Sequence, residues 1–320
     1  MRVLILFLLC LPGLLGAASY PDRPVTLIVP FAEGSDTDLF AQNFTRHMSK
    51  YLGRARFQLT YMPGESGSLA AQHLLRQPAD GYTVMLGRIA SQVIAPAMQP
   101  SLPYRWNSFS TLSIPEILPL ICAVRTDSPY RNARDLISAL RQKPGQLKFG
   151  VSGKGTILNF AVQYMLHVSG LPPSAALPVD LQSAPQVTQA LLDGRIDFAC
   201  NNALSLLQPI QSGRLRGLFT TAPGRLSDLP QLPNAREAGL RDMSQLIGWN
   251  AIVAPAGLPA DVLARWQAAL TQLAQDPAWQ AGSQRLGGLP AIDSIRDPQF
   301  FLRGQSRLYE QLVANLVPQP

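Results

Sequence analysis

The chain has three histidines, at positions 47, 73 and 167. They would be its natural general bases or metal ligands. None stands at a ligand spacing from another, and each falls in a helical stretch. The plain reading is a surface or internally satisfied helical histidine. Gly150-Val151-Ser152-Gly153-Lys154 resembles a nucleophile turn, but Lys154 stands where G-x-S-x-G requires its last glycine. Gly155 follows Lys154 where a phosphate loop needs Ser or Thr. Asp36 and Asp38 could hold a cation, yet carboxylates are favoured in the first turn of any helix. No nucleophile–base–orienter set emerges, so the expectation is no enzyme and no metal.

What remains are three strand–loop–helix junctions rich in small residues. They are Pro30-Phe31-Ala32-Glu33-Gly34-Ser35-Asp36-Thr37-Asp38, Gly87-Arg88-Ile89-Ala90-Ser91 and Gly150-Val151-Ser152-Gly153-Lys154-Gly155-Thr156. Such loops bring backbone N–H groups to an anion at a helix N-terminus. Glycine also serves ordinary turns, so each loop alone says little. Three of them in a chain without catalytic groups point toward solute capture.

The elements that must position these loops alternate. Strands are expected over 25–31, 57–62, 82–86, 117–124, 147–151, 177–179, 196–200, 215–220 and 247–254. Helices are expected over 37–52, 69–77, 133–141, 157–168, 185–192, 260–274, around 279 and over 298–316. Phe40, Phe44, Met48 and Leu52 give the first helix one apolar face. Alternation of this kind predicts α/β architecture with parallel sheets covered on both faces. It is too irregular for an eight-fold barrel. Two open sheets with a cleft between them suit 320 residues.

Composition narrows the class. Apolar residues make up 47% and mean hydropathy is +0.07, enough for a packed core. The net charge of +7 is spread singly, with no basic stripe or arm, so nucleic-acid binding is not expected. Arg2, the apolar run 3–15 and Gly16-Ala17-Ala18 read as a secretory signal peptide cleaved near Ala18. Cys122 and Cys200 would then meet an oxidising compartment. Both lie in apolar strand-like runs, and buried free thiols are favoured over the alternative, one disulfide, which demands a close Cβ approach.

Longer motifs carry a family resemblance. Tyr20-Pro-Asp-Arg-Pro-Val-Thr-Leu-Ile-Val-Pro-Phe, Ala79-Asp80-Gly81-Tyr82-Thr83-Val84-Met85-Leu86-Gly87, Ser101-Leu102-Pro103-Tyr104, Leu191-Leu192-Asp193-Gly194-Arg195-Ile196-Asp197-Phe198, Leu229-Pro230 through Glu237-Ala238-Gly239 and Ala254-Pro255-Ala256-Gly257-Leu258-Pro259 occur in order. They are similar to signatures of the periplasmic solute-binding proteins of tripartite tricarboxylate transporters, the Bug family, across nearly the whole mature chain. The resemblance implies a two-lobed, type II periplasmic-binding fold closing on a ligand cleft like a Venus flytrap. It implies a small carboxylate as usual ligand, no cofactor, and an inner-membrane transporter as partner. After the signal peptide (1–18), lobe 1 is expected over 19–122, lobe 2 over 123–248, and a return strand with C-terminal helices completing lobe 1 over 249–320. The strands crossing between lobes should lie near 122–125 and 247–253, and a monomer is expected.

The chain departs from the family pattern at its loops. Glu33, Ser35 and Asp36 replace small uncharged positions, Arg88 a small one, and Lys154 a common Asn; Pro63-Gly64-Glu65-Ser66-Gly67 stands for P-G-A-[GS]-G. Residues 179–185 lack the family's Tyr and basic residue. Either Arg88 or Lys154 pairs with Glu33 or Asp36 across the cleft, or all four face solvent. The expectation is altered specificity, toward a zwitterionic, amide-bearing or neutral ligand. The expected lining is Phe31, Gly34, Ser35, Asp36, Thr37, Arg88 and Ser91 from lobe 1, and Ser152, Gly153, Lys154, Gly155, Thr156, Asn159 and Asn201 from lobe 2. Two other readings remain open: a ligand-responsive or degenerate binding protein acting through a membrane sensor, and an exported α/β hydrolase.

Overall fold

The computed structural model describes residues 20–153, 155–181 and 183–316. The signal-peptide stretch and Lys154 lie outside the described residues.

The strand β1 (Val25–Val29) is almost wholly buried, as expected of a strand covered on both faces. It pairs in parallel with β2 (Phe57–Tyr61) and β3 (Thr83–Arg88). Two long strands, β4 (Phe109–Leu118) and β10 (Gly248–Pro255), then run antiparallel, and the two-residue β11 (Leu289–Pro290) closes the edge. The order is β11-β4-β10-β3-β1-β2. A second sheet has the order β7-β6-β8-β5-β9. It is built from β5 (Leu120–Arg125), β6 (Leu147–Val151), β7 (Ala176–Asp180), β8 (Phe198–Asn202) and β9 (Leu215–Thr220).

Both sheets are mixed rather than purely parallel. The sequence reading misses β4 as a full strand and runs its last residues into β5. Pro119 divides the two, because proline cannot donate to a ladder. On one side of it the chain serves the first sheet, on the other the second.

The expectation of free thiols is overturned: Cys122 and Cys200 form a disulfide. They face one another directly in the antiparallel β5–β8 pair. Register across strands far apart in sequence is what places them together, and neither flanking run encodes it.

Helix α1 (Asp36–Tyr51) buries Phe40, Phe44 and Met48. Phe40 and Phe44 meet Trp279 of α9 (Pro277–Arg285) edge-on, at ring distances of 5.7 and 6.0 Å. α2 (Ser68–Leu74) and α3 (Ala95–Met98) also cover the first sheet, with α8 (Ala260–Ala274), whose buried Trp266 donates to Tyr20 Oη at 2.7 Å. The second sheet carries α4 (Ala133–Gln142), α5 (Ile157–Val168), α6 (Ala184–Leu192) and α7 (Ala203–Gln211). The sequence reading misses α7, whose internal Pro209 masks it. The last helix, α10 (Pro298–Leu316), sets Tyr309 against Phe160 of α5 at 5.3 Å.

Candidate functional site

The loop from β1 to α1 is fastened by Asp38. Its Oδ2 accepts from the Gly34 N–H at 2.8 Å and from Gln42 Nε2 at 3.0 Å, and its Oδ1 from Tyr61 Oη at 2.8 Å. Burial opposes the charge of Asp38, but these donors outweigh it and hold the carboxyl below its ordinary value. Ser35 caps α1, its Oγ accepting from the Asp38 N–H at 3.3 Å. Gly34 sits at φ +78°, which favours glycine. The acidic pair therefore does helix-terminus work, and Asp38 faces its own loop.

Arg88 ends β3 and is partly buried. Its Nη1 donates to Thr37 Oγ1 at 2.7 Å, and its guanidinium lies 5.9 Å from the Phe31 ring centre. Burial weighs against its charge, while Asp36 and Glu116 favour it. Ser91 is fully buried behind it. Its Oγ accepts from the Arg88 N–H and donates to the Arg88 carbonyl, both at 3.1 Å, locking the turn. Arg88 thus neither points into solvent nor forms a close ion pair with Glu33 or Asp36 among the described residues. It lies between the loop and a buried acidic group.

A third loop joins them. Four consecutive residues take positive φ: Gly64 (+140°), Glu65 (+47°), Ser66 (+56°) and Gly67 (+90°). A Cβ on Gly67 would lie 3.0 Å from Ser91 Cβ and 3.1 Å from Pro30 Cβ, so three loops meet at that glycine. Left-handed backbone at non-glycine Glu65 and Ser66 is costly and is sustained by surroundings. Ser68 Oγ donates to Glu65 Oε2 at 3.1 Å across this turn.

In the second sheet the β6–α5 loop carries Ser152, partly buried, and Gly153 at φ +109°. Thr156 holds the N-cap position of α5 and donates its Oγ1 to the Gly153 carbonyl at 2.8 Å. Asn159 lies in the first turn of that helix. Gly155 approaches α3, since a Cβ there would sit 3.1 Å from Met98 Sδ. Asn201 stands apart from these groups. It is fully buried, and its Nδ2 donates to the Ala184 carbonyl at 2.8 Å and to Thr188 Oγ1 at 3.0 Å, fastening α6.

The structure thus brings Phe31, Thr37 and Arg88 together, with Ser91 behind them, and sets Ser152, Gly153, Gly155 and Thr156 at the α5 entrance. A cavity of about 640 Å³ lies elsewhere, among β4, α8 and residues 292–299, and none of these candidates lines it. The sequence reading passes over Glu116, Asn250 and Ser283, buried polar groups below Arg88. A lone Glu within the apolar strand Ser-Ile-Pro-Glu-Ile-Leu was the available signal.

A family model described as the tripartite tricarboxylate transporter family receptor matches residues 41–301. The chain belongs to this receptor family. A UPF0065 protein from the TAR-I ttuE-ttuC' intergenic region of Agrobacterium vitis is 28% identical over 88% of this chain and 80% of its own. MatC from Rhodopseudomonas palustris, solved with bound malate, is 25% identical, with a TM-score of 0.75 over 92% of this receptor and 100% of that chain. Rpa4515 from R. palustris, solved with adipate, is 24% identical, with a TM-score of 0.78 over 93% and 98%. The receptor has the two-lobed periplasmic-binding fold of those neighbours.

Proposed function

We propose that this receptor captures a small carboxylated solute between its lobes in the periplasm and hands it to a tripartite-type membrane transporter. Residues 1–18 serve as its export signal. Lobe 1 comprises the first sheet with the C-terminal helices, and lobe 2 the second sheet. The chain crosses between them at Pro119 and again just before Gly248. The observation that carries the reading is the meeting of three loops of the first sheet at Gly67, against the Ser91 that locks the Arg88 turn. Backbone N–H groups and a guanidinium suit a carboxylate. The malate and adipate held by its structural neighbours support that class. Lobes closing around such a solute bind it without chemistry, so the receptor is not an enzyme.

The acidic loop residues refine the ligand. Glu33, Asp36 and Glu65 belong to the first-lobe loops and would repel a second carboxylate placed beside them. The solute we favour carries one carboxylate toward Arg88 and an amino or amide group toward these acids. The test is thermal unfolding of the mature protein, stripped by unfolding and refolding, with malate, adipate, aspartate, glutamine and benzoate. A ligand at about 100 times its Kd adds about 2.7 kcal/mol, a shift of several degrees. Shifts led by glutamine, which pairs one carboxylate with amino and amide groups, are expected; no shift with any of the five would sink the proposal.

A further inference from the structure

Glu116 on β4 is 1% exposed and lies one turn of chain from the crossing at Pro119. Its Oε1 accepts from Asn250 Nδ2 of β10 at 2.7 Å, and its Oε2 accepts from Ser283 Oγ of α9. Gly288 passes so close that a Cβ there would collide with Oε2. These neighbours are all neutral. The charged groups facing it are Arg88 from β3 and Asp36 from α1. All three line one cavity of about 20 Å³, closed on its far side by Asn202, Ala203 and Leu204 of the other unit. That is room for about one water.

The site accommodates both charge states. Burial pushes the Glu116 carboxyl up to about 7, against the pull of Ser283, Asn250 and Arg88. Asn250 Oδ1 is buried with no partner. Ionised, the carboxylate accepts from Nδ2 of that amide. Protonated, it can donate to Oδ1 once the amide turns over. Arg88 is shared between this cavity and the loop holding Thr37 and Phe31. An anion arriving at Arg88 adds negative potential at Glu116 and draws away part of its only facing cation among the described residues.

We infer that Glu116 is a positioning residue that takes up a proton from solvent as the receptor captures a carboxylated solute at Arg88. The inference rests on the carboxylate reading above. Capture would then tighten as pH falls through neutrality, although Glu116 does not touch the solute.

Titration calorimetry of the mature receptor with malate, adipate, aspartate and glutamine tests this, run in two buffers of different ionisation heat. If bound anion raises the carboxyl by one further pH unit, uptake at pH 7 is about 0.4 proton. The Kd then weakens about fivefold from pH 6 to pH 8. Glu116→Gln, a fixed neutral isostere, should bind with no such slope, as tightly at pH 8 as the wild type at pH 6. A merely structural role would shift affinity and leave the slope in place. Ser283→Ala, which removes a donor to the ionised form, should move the midpoint upward and serves if Glu116→Gln does not fold. Binding without proton uptake, or a slope that survives in Glu116→Gln, overturns the inference alone. Failure of all four solutes to bind overturns the carboxylate reading and the inference together.

Discussion

Helices α1 and α9 join two buried carboxylates that live under opposite conditions. At one end, Asp276 Oδ2 accepts from His47 Nδ1 (3.0 Å), Lys50 Nζ (3.2 Å) and Tyr51 Oη (3.1 Å) in the last turns of α1. Its Oδ1 accepts from the Ala278 and Trp279 N–H groups at the start of α9. Burial opposes that charge, but the donors win and hold the carboxyl far below its ordinary value. At the other end, Glu116 takes one bond from α9 and one from β10, and burial prevails. Burial alone therefore does not decide the state of an acid; the supply of donors does. Five donors make Asp276 a fixed clamp, whereas two neutral ones leave Glu116 able to titrate near neutrality.

Substitution should separate the two ends, most sharply at the clamp. Asp276→Ala strands His47 and Lys50 and uncaps α9, and should cost about 3–5 kcal/mol in urea unfolding at pH 7. Loss of under 1 kcal/mol would mean that the clamp is not fixed. Arg88→Met should weaken solute binding by about 10- to 100-fold, the worth of a charged hydrogen bond, with little change in melting temperature. Equal binding by this variant would remove Arg88 from the site. Glu116→Gln should act in the opposite sense to Asp276→Ala. The folded carboxyl keeps its proton to about pH 7, against an ordinary value of 4.5. Its contribution to stability is therefore full below about 4.5 and is lost as pH rises through 7. The variant should gain about 3 kcal/mol over wild type at pH 8 and nothing at pH 4. For Asp276 the sign reverses: its stabilisation is present above the ordinary carboxylate range and lost as pH falls below it. The smallest effect is at the α1 cap, where Ser35→Ala should cost about 1 kcal/mol by thermal unfolding.

Periodicity made many of the elements legible. Helices over 157–168, 260–274 and 298–316 and the strand over 215–220 coincide with those observed, because one apolar face or a short β-rich run is a local property. The capping role of Ser35 could be read in the same way, since a cap bonds only its own first turn. Failures fell where an outcome depends on distant partners. Pro119 splits one apolar run between two sheets, and whether proline interrupts a strand or ends it depends on what lies beside it.

By itself, the sequence determined an α/β chain, three small-residue loops at helix entrances and the signatures of a receptor family. All of these are encoded within a few residues of one another. Tertiary structure alone decided that Cys122 faces Cys200, that Asn201 fastens α6, and that Gly67 is where three loops meet. It also set Glu116 and Asn250 in one cavity with Arg88 and bonded Ser283 to that Glu116. Those residues are separated by as many as 195 positions (88 to 283). Strand register and helix docking, which arise from packing over the whole chain, bring them together.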